Sequence, residues 1–147
     1  MIHSSQSHIL EFCFPSAFGC EKIVLDAIST FAYRCGFSDE QIANLKTALG
    51  EACVNAIEHG NQCCDQLQVQ VHCMYDKQCL SVDVRDQGLK KYQVSSPPAS
   101  IEHKLQGRAA LRGMGLSIIG QLVDEAGFID SIEHGNQFRF TMYRRSS

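Results

Sequence analysis

Along this chain the apolar residues change period several times, and each change marks an element. "HILEFCF" (residues 8–14) alternates apolar and polar positions and predicts a first strand, which Pro15 ends because it has no N–H to give a sheet. From Ser16 to Cys35, Ile23, Ala27 and Phe31 recur at helical spacing with Val24 and Ile28 beside them, and Gly36 stops this first helix. Ser38 followed by Gln41 is a capping-box pattern, in which side chain and main chain satisfy each other's N–H groups. It opens a second helix through "DEQIANLKTALGEACVNAIEH" that ends at Gly60, read as the residue just past the helix end. Leu67, Val69, Val71 and Cys73 then face one way and Gln68, Gln70 and His72 the other. After a turn at Asp76-Lys77-Gln78 the alternation resumes through Leu80, Val82 and Val84. Residues 87–107 hold Gly88, Pro97, Pro98 and Gly107 with little periodicity and read as a long loop. A third helix starts near Gly113–Gly115 and carries Leu116, Ile119, Leu122 and Val123. "GFIDSIE" and "QFRFTMY" then form a closing hairpin with Phe138, Phe140 and Met142 on one face.

The pentapeptide IEHGN occurs twice, at 57–61 and at 132–136. The first copy ends a helix, and the second supplies turn residues between two strands. The flanking periods differ, about 3.6 against 2, so the coincidence is read as two similar stop signals and not as a structural repeat.

Composition narrows the picture. A chain of 147 residues is expected to form a single domain, 1–147, around one core. The net charge of −3, with no basic run longer than Arg144-Arg145, gives no reason to expect direct nucleic-acid or membrane binding. No stretch approaches the roughly 20 apolar residues of a membrane span, and the start "MIHSSQSHILEF" lacks the basic opening and long apolar core of a signal peptide. A cytoplasmic location is expected. Eight cysteines are many, yet none forms C-x-x-C. A metal site would have to draw on Cys63, Cys64, His72 and Cys73; the plainer reading is reduced cysteine acting as a small hydrophobe.

Three features carry candidate chemistry. Glu51, Asn55 and His59, spaced by four on the second helix, form a stripe away from its apolar arc, suited either to a metal ion with phosphates or simply to solvent. Asp86 continues the buried parity of Leu80, Val82 and Val84, where a carboxylate is costly unless something donates hydrogen bonds to it; the alternative is a strand-end Asp capping a turn. Gly88 follows, where backbone can approach a ligand closely. Lastly, "RGMGLSII" sets two glycines before a helix whose free N–H groups suit phosphate oxygens. Neither the G-x-x-x-x-G-K-[ST] loop nor G-x-S-x-G is present.

Taken together, E-x-x-x-N-x-x-x-H-G on a helix, D-x-G after a strand, a long loop and G-x-G opening a helix resemble the ATP-binding fold shared by gyrase, a heat-shock chaperone class, histidine kinases and mismatch-repair ATPases. Within that superfamily "ALGEACVNAIEHGN", "RDQG" and "GMGLSIIGQLVDE" look most like the bacterial anti-sigma factor serine kinases of partner-switching systems, over nearly the whole chain. The resemblance implies an α+β two-layer sandwich, with a mixed, mainly antiparallel sheet covered on one face by three helices. It implies ATP and Mg²⁺ as cofactors, with Glu51 as general base and Asn55 as the Mg²⁺-binding amide. Asp86 would accept the adenine amino group, which would account for its buried parity, and Gly88 would let the base lie against the backbone. Gly113, Met114 and Gly115 would contact phosphates, residues 87–112 would form a lid, and His59 would lie on the phosphate side. Arg112, or Arg108, would reach the γ-phosphate.

The chain departs from the family pattern at Lys90, where a second glycine is usual, and at Pro97-Pro98 in the lid. It departs again at Gly135-Asn136-Gln137 in place of Gly-Thr, where Gln137 would substitute for the Thr hydroxyl. The implied function is an anti-sigma factor and protein-serine/threonine kinase that phosphorylates a small anti-anti-sigma partner, sequesters a sigma factor and forms homodimers near its N-terminal elements. The alternative is a catalytically weak, nucleotide-gated module that sequesters a regulatory partner.

Overall fold

The structure, a computed structural model, describes residues 6–88, 115–129 and 134–145. Strand β1 (His8–Pro15) is followed by helices α1 (Cys20–Arg34) and α2 (Asp39–Asn55), a wide helical turn (Ala56–Gly60), strands β2 (Gln68–Asp76) and β3 (Cys79–Arg85), helix α3 (Gly115–Leu122), and strands β4 (Glu125–Ile129) and β5 (Gln137–Tyr143). The strands form one sheet in the order β1-β2-β3-β5-β4. Every pairing among the described residues is antiparallel, which agrees with the mainly antiparallel sheet the resemblance implies and shows no parallel pair.

Alternation decides which face each residue takes. Phe14, Val69, Val71, Cys73, Tyr75, Leu80, Val82, Val84, Phe138, Phe140 and Met142 all point to one side and are buried there. Val24, Ile28 and Ala32 of α1, Leu45, Leu49 and Cys53 of α2, and Leu116 and Ile119 of α3 close over them. This makes a two-layer α+β sandwich. Ala48 and Ala52 are fully buried small residues on α2, so the helix that carries the candidate stripe lies close to its neighbours. No helix among the described residues covers the other sheet face. Across it runs a polar row, Glu11, His72, Asp83 and Arg139, set side by side by the strand register.

Local chemistry explains the boundaries. The α2 capping box forms as read, with Gln41 N–H donating to Ser38 Oγ at 3.1 Å and Ser38 N–H to Gln41 Oε1 at 3.3 Å. Gln41 Nε2 also donates to the Tyr143 carbonyl at 2.7 Å, pinning the helix start to the last strand. Helix α1 begins later than the pattern suggested, because Gly19 (φ +107°) breaks the chain there and donates its N–H to the buried Glu21 carboxylate at 2.6 Å. The β2–β3 turn places both Lys77 and Gln78 at positive φ, the mirror-image hairpin geometry whose twist matches that of the strands. No helix among the described residues is long and apolar enough to cross a membrane. Lys90, Pro97-Pro98, Arg108, Arg112, Gly113 and Met114 lie outside the described residues.

Candidate functional site

The site is built around the turn that leaves β3. Asp86 keeps the inward parity of that strand and is only 5% exposed. Its Oδ1 accepts hydrogen bonds from Gly88 N–H (3.0 Å), Asn136 N–H (2.9 Å) and Asn136 Nδ2 (3.3 Å), and the same Nδ2 reaches Oδ2 at 3.4 Å. Asp86 N–H in turn donates to the Asn136 carbonyl at 2.9 Å. The chain itself therefore supplies donors that offset the cost of burying this carboxylate, and no ligand is required to account for its parity.

Sequence reasoning had assigned the corresponding strand end to Gln137, and the structure places that side chain elsewhere. Gln137 Nε2 donates to Asp83 Oδ2 at 3.0 Å, on the other face of the sheet. Neighbouring residues entering a strand face opposite sides, so with Phe138 and Phe140 inward, Asn136 lies inward and Gln137 outward. That parity was present in the sequence and was the signal that would have found Asn136.

Three glycines let the chain pack closely on this turn. A Cβ on Gly60 would fall on the Asp86 carboxylate, one on Gly88 would fall on the Gly60 carbonyl oxygen, and one on Gly135 (φ +72°) would fall on the Asp86 carbonyl. Gly60 is thus required for close approach. It lacks the left-handed backbone of the residue expected past a helix end; the left-handed residues here are Gln62 and Cys63. The helix ends instead in a widened turn, with Asn61 N–H bonded to the Ala56 carbonyl (2.8 Å) and Cys63 N–H to the Ile57 carbonyl (2.8 Å). Such widened turns recur at functional sites.

Asn61, 1% exposed, locks the same turn from the other side. Its Oδ1 accepts from Gln87 N–H at 2.7 Å, while its Nδ2 donates to Ser16 Oγ (2.5 Å) and the Gln68 carbonyl (3.0 Å). The Gly-Asn pairs of both IEHGN copies therefore press on one turn, Asp86-Gln87-Gly88. The coincidence noted in the sequence is more than a shared stop signal.

Glu51 of α2 and His59 of the widened turn are partly exposed, while Asn55 at the end of α2 is buried. The stripe is not simply a solvated face. Asn55 Nδ2 donates to the Glu51 carbonyl at 2.8 Å, which turns the amide oxygen away from the helix main chain. Gly115 opens α3, whose Leu116 and Ile119 are buried. The structure thus brings Asp86, Gly88, Gly60 and Asn136 into contact, and places Asn55 on the helix that runs directly into Gly60.

The cysteines divide by location. Cys35, Cys53 and Cys73 are buried, and burial pushes the Cys35 thiol up to about 11, that of Cys73 to about 12, and that of Cys53 upward as well. Cys63 and Cys64 are exposed on the loop after the widened turn. His72 and Cys73 point to opposite sheet faces, which separates the ligands the sequence offered for a metal. Among the described residues no group of three or more His, Cys, Asp or Glu side chains is arranged to hold one.

With this geometry in place, comparisons with known proteins are informative. The histidine kinase-like ATPase domain matches residues 20–142. The serine-protein kinase RsbW of Bacillus licheniformis is 31% identical over 115 residues, covering 76% of this chain and 69% of its own length. That of Bacillus pumilus is 29% identical over 123 residues, covering 80% of this chain and 75% of its own. A crystal structure of the RsbU and RsbW domains of a Mycobacterium tuberculosis protein is similar over 93% of this chain, with a TM-score of 0.65 at 17% identity. The chain spans 32% of that longer one, and the likeness concerns the fold.

Proposed function

Because the chain belongs to the histidine kinase-like ATPase domain family, we propose that it is an ATP-dependent protein-serine/threonine kinase and anti-sigma factor. The observation that carries the reading is Asp86: a buried carboxylate held in place by the chain, inside a turn on which Gly60, Gly88 and Gly135 let the main chain close tightly. A planar base with an exocyclic amine fits such a spot, since a fixed, buried acceptor rewards a matching donor. Similarity to proteins named serine-protein kinase supports the choice of reaction.

In this reading Asp86 accepts the adenine amino group and Gly88 lets the base approach the main chain. Asn55 offers its amide oxygen, a hard donor suited to Mg²⁺, and the orientation set by the Glu51 carbonyl fits that use. Bound Mg²⁺ would neutralise phosphate charge, with water and phosphate oxygens filling the rest of its shell. Glu51, one turn before Asn55, takes the proton from a Ser or Thr hydroxyl of the protein substrate as that oxygen bonds the γ-phosphorus and ADP departs. His59 lies on the phosphate side. Gly115 at the start of α3, with Gly113, Met114 and Arg112, meets the phosphates.

The protein substrate is a small anti-anti-sigma factor, and a sigma factor is the partner held inactive, in the cytoplasm. A homodimer through the N-terminal elements draws support from Ile9 of β1 and Ile23 and Tyr33 of α1, large apolar side chains that are exposed.

The test is transfer of labelled γ-phosphate from Mg-ATP to such a partner by the full chain. Wild type should phosphorylate one Ser or Thr, and Glu51→Ala should abolish transfer while still binding ATP. If wild type binds ATP but transfers nothing, and Glu51→Ala is indistinguishable from it, the chain is a nucleotide-gated binding module and the kinase assignment is wrong.

A further inference from the structure

The two Gly-Asn pairs hold the Asp86 turn in different ways. The Asn61 side chain grips main chain at Gln87 N–H and the Gln68 carbonyl, and the Ser16 hydroxyl besides, but not the carboxylate. Asn136, 4% exposed, grips the carboxylate itself, and its Nδ2 touches both oxygens, at 3.3 and 3.4 Å. The two main-chain donors, from Gly88 and from Asn136, both land on Oδ1. They anchor one oxygen, but the torsion that rotates a carboxylate is broad and roughly two-fold. An amide that bridges both oxygens fixes the plane as well.

We infer that Asn136 is a positioning residue that sets the base preference of this site, by holding the Asp86 carboxylate in the plane that rewards a 6-amino purine over a 6-oxo purine. The inference rests on the nucleotide reading above. A carboxylate discriminates between these bases because it accepts from an exocyclic amine and repels a carbonyl oxygen, and hydrogen bonds weaken steeply as alignment is lost. Without the bridging amide the carboxylate turns more freely. It then loses alignment with the amine and gains access to the ring N–H that a 6-oxo purine presents. Loss of Asn61 disturbs the turn as a whole and has no reason to favour either base.

The experiment is calorimetric binding of ATP and of inosine triphosphate, each with Mg²⁺, to the full-length wild type and to Asn136→Ala, Asn136→Ser and Asn61→Ala, with folding checked by circular dichroism. Wild type should prefer ATP. Asn136→Ala should reduce the preference about tenfold, the size of one well-aligned hydrogen bond to a charged group, mainly through weaker ATP binding. Asn136→Ser retains one donor and should fall between. Asn61→Ala should weaken both ligands by the same factor. The inference is overturned if folded Asn136→Ala keeps the wild-type ratio, or if Asn61→Ala changes the ratio as much. Should Asn136→Ala not fold, an unchanged ratio in Asn136→Ser overturns it. Equal wild-type affinities would also overturn it while leaving nucleotide binding intact. Wild type binding neither ligand would sink the nucleotide reading and this inference with it.

Discussion

Asp83 and Asp86 leave the same strand on opposite faces, and both are largely buried, at 8% and 5% exposure. Asp83 meets a guanidinium: Arg139 Nε reaches Oδ1 at 2.6 Å and Nη2 reaches Oδ2 at 3.0 Å, with Gln137 adding a third donor. That bond holds the Arg139 pKa above its ordinary value. The fork of an arginine matches both oxygens of a carboxylate, so the pair closes on itself. The contacts described at Asp86 come from amide and main-chain N–H groups, and three of the four fall on Oδ1. One carboxylate ties strands together. The other is aimed.

Glycine substitutions test that division most severely. Gly60→Ala drives a methyl group into the Asp86 carboxylate and should cost about 3 kcal/mol, the upper range for overpacking, together with nucleotide binding. Gly127 of β4 shares the register row of Arg139 and has nothing within 4 Å of an added Cβ. Gly127→Ala should stay within about 0.5 kcal/mol of wild type. Chemical denaturation of the two variants checks both figures, and equal losses would erase the distinction between the faces.

The carboxylates themselves give the next effect. Asp86→Asn should weaken ATP binding about 100-fold, since an amide cannot replace a charged acceptor at both oxygens. Asp83→Asn breaks the ion pair and should cost about 1–2 kcal/mol of stability, leaving ATP affinity within about twofold because the sites share no partner. Titrations of both variants, set beside their melting curves, would show whether stability and binding separate as the two faces do.

The thiols provide the smallest contrast. Cys73 points inward from β2 and Cys13 outward from β1, where it is exposed. Burial raises the Cys35 and Cys73 thiols from 9.0 to about 11 and about 12, so the folded state holds protons that the unfolded state releases. The stability this represents is complete below about pH 9 and is lost as pH rises toward those folded values. Thermal midpoints should therefore fall across that alkaline window. In native protein near neutral pH, Cys13, Cys63 and Cys64 should alkylate while Cys35, Cys53 and Cys73 stay protected, as mass spectrometry of the modified chain would report.

Period and parity made much of this molecule readable in advance. Alternation placed Val69, Val71 and Cys73, and Leu80, Val82 and Val84, on the correct face, and Ser38 with Gln41 marked a helix start that the structure reproduces. Asp86 stood out because it continued an apolar parity. What escaped was non-local. Gly60, Gly88 and Gly135 are far apart in sequence and meet only after the sheet has formed, so no local window reveals that each lacks a side chain for the sake of the same turn. Gln62 and Cys63, not Gly60, take the left-handed backbone, because the widened turn delays the reversal of the chain. At the start of β5 the alternation is legible in the sequence: it sets Asn136 inward against Asp86 and Gln137 outward against Asp83.

The insertion of β5 between β3 and β4 carries a consequence for synthesis. While the ribosome is still making residues 134–143, β3 presents an unpaired edge and the Asp86 turn lacks half its grip. The core contacts that complete the sheet are among the longest-range in the chain and are the slowest kind to form. Ligand competence therefore arrives late, when β5 pairs with the open edge of β3 and brings β4 into the sheet with it.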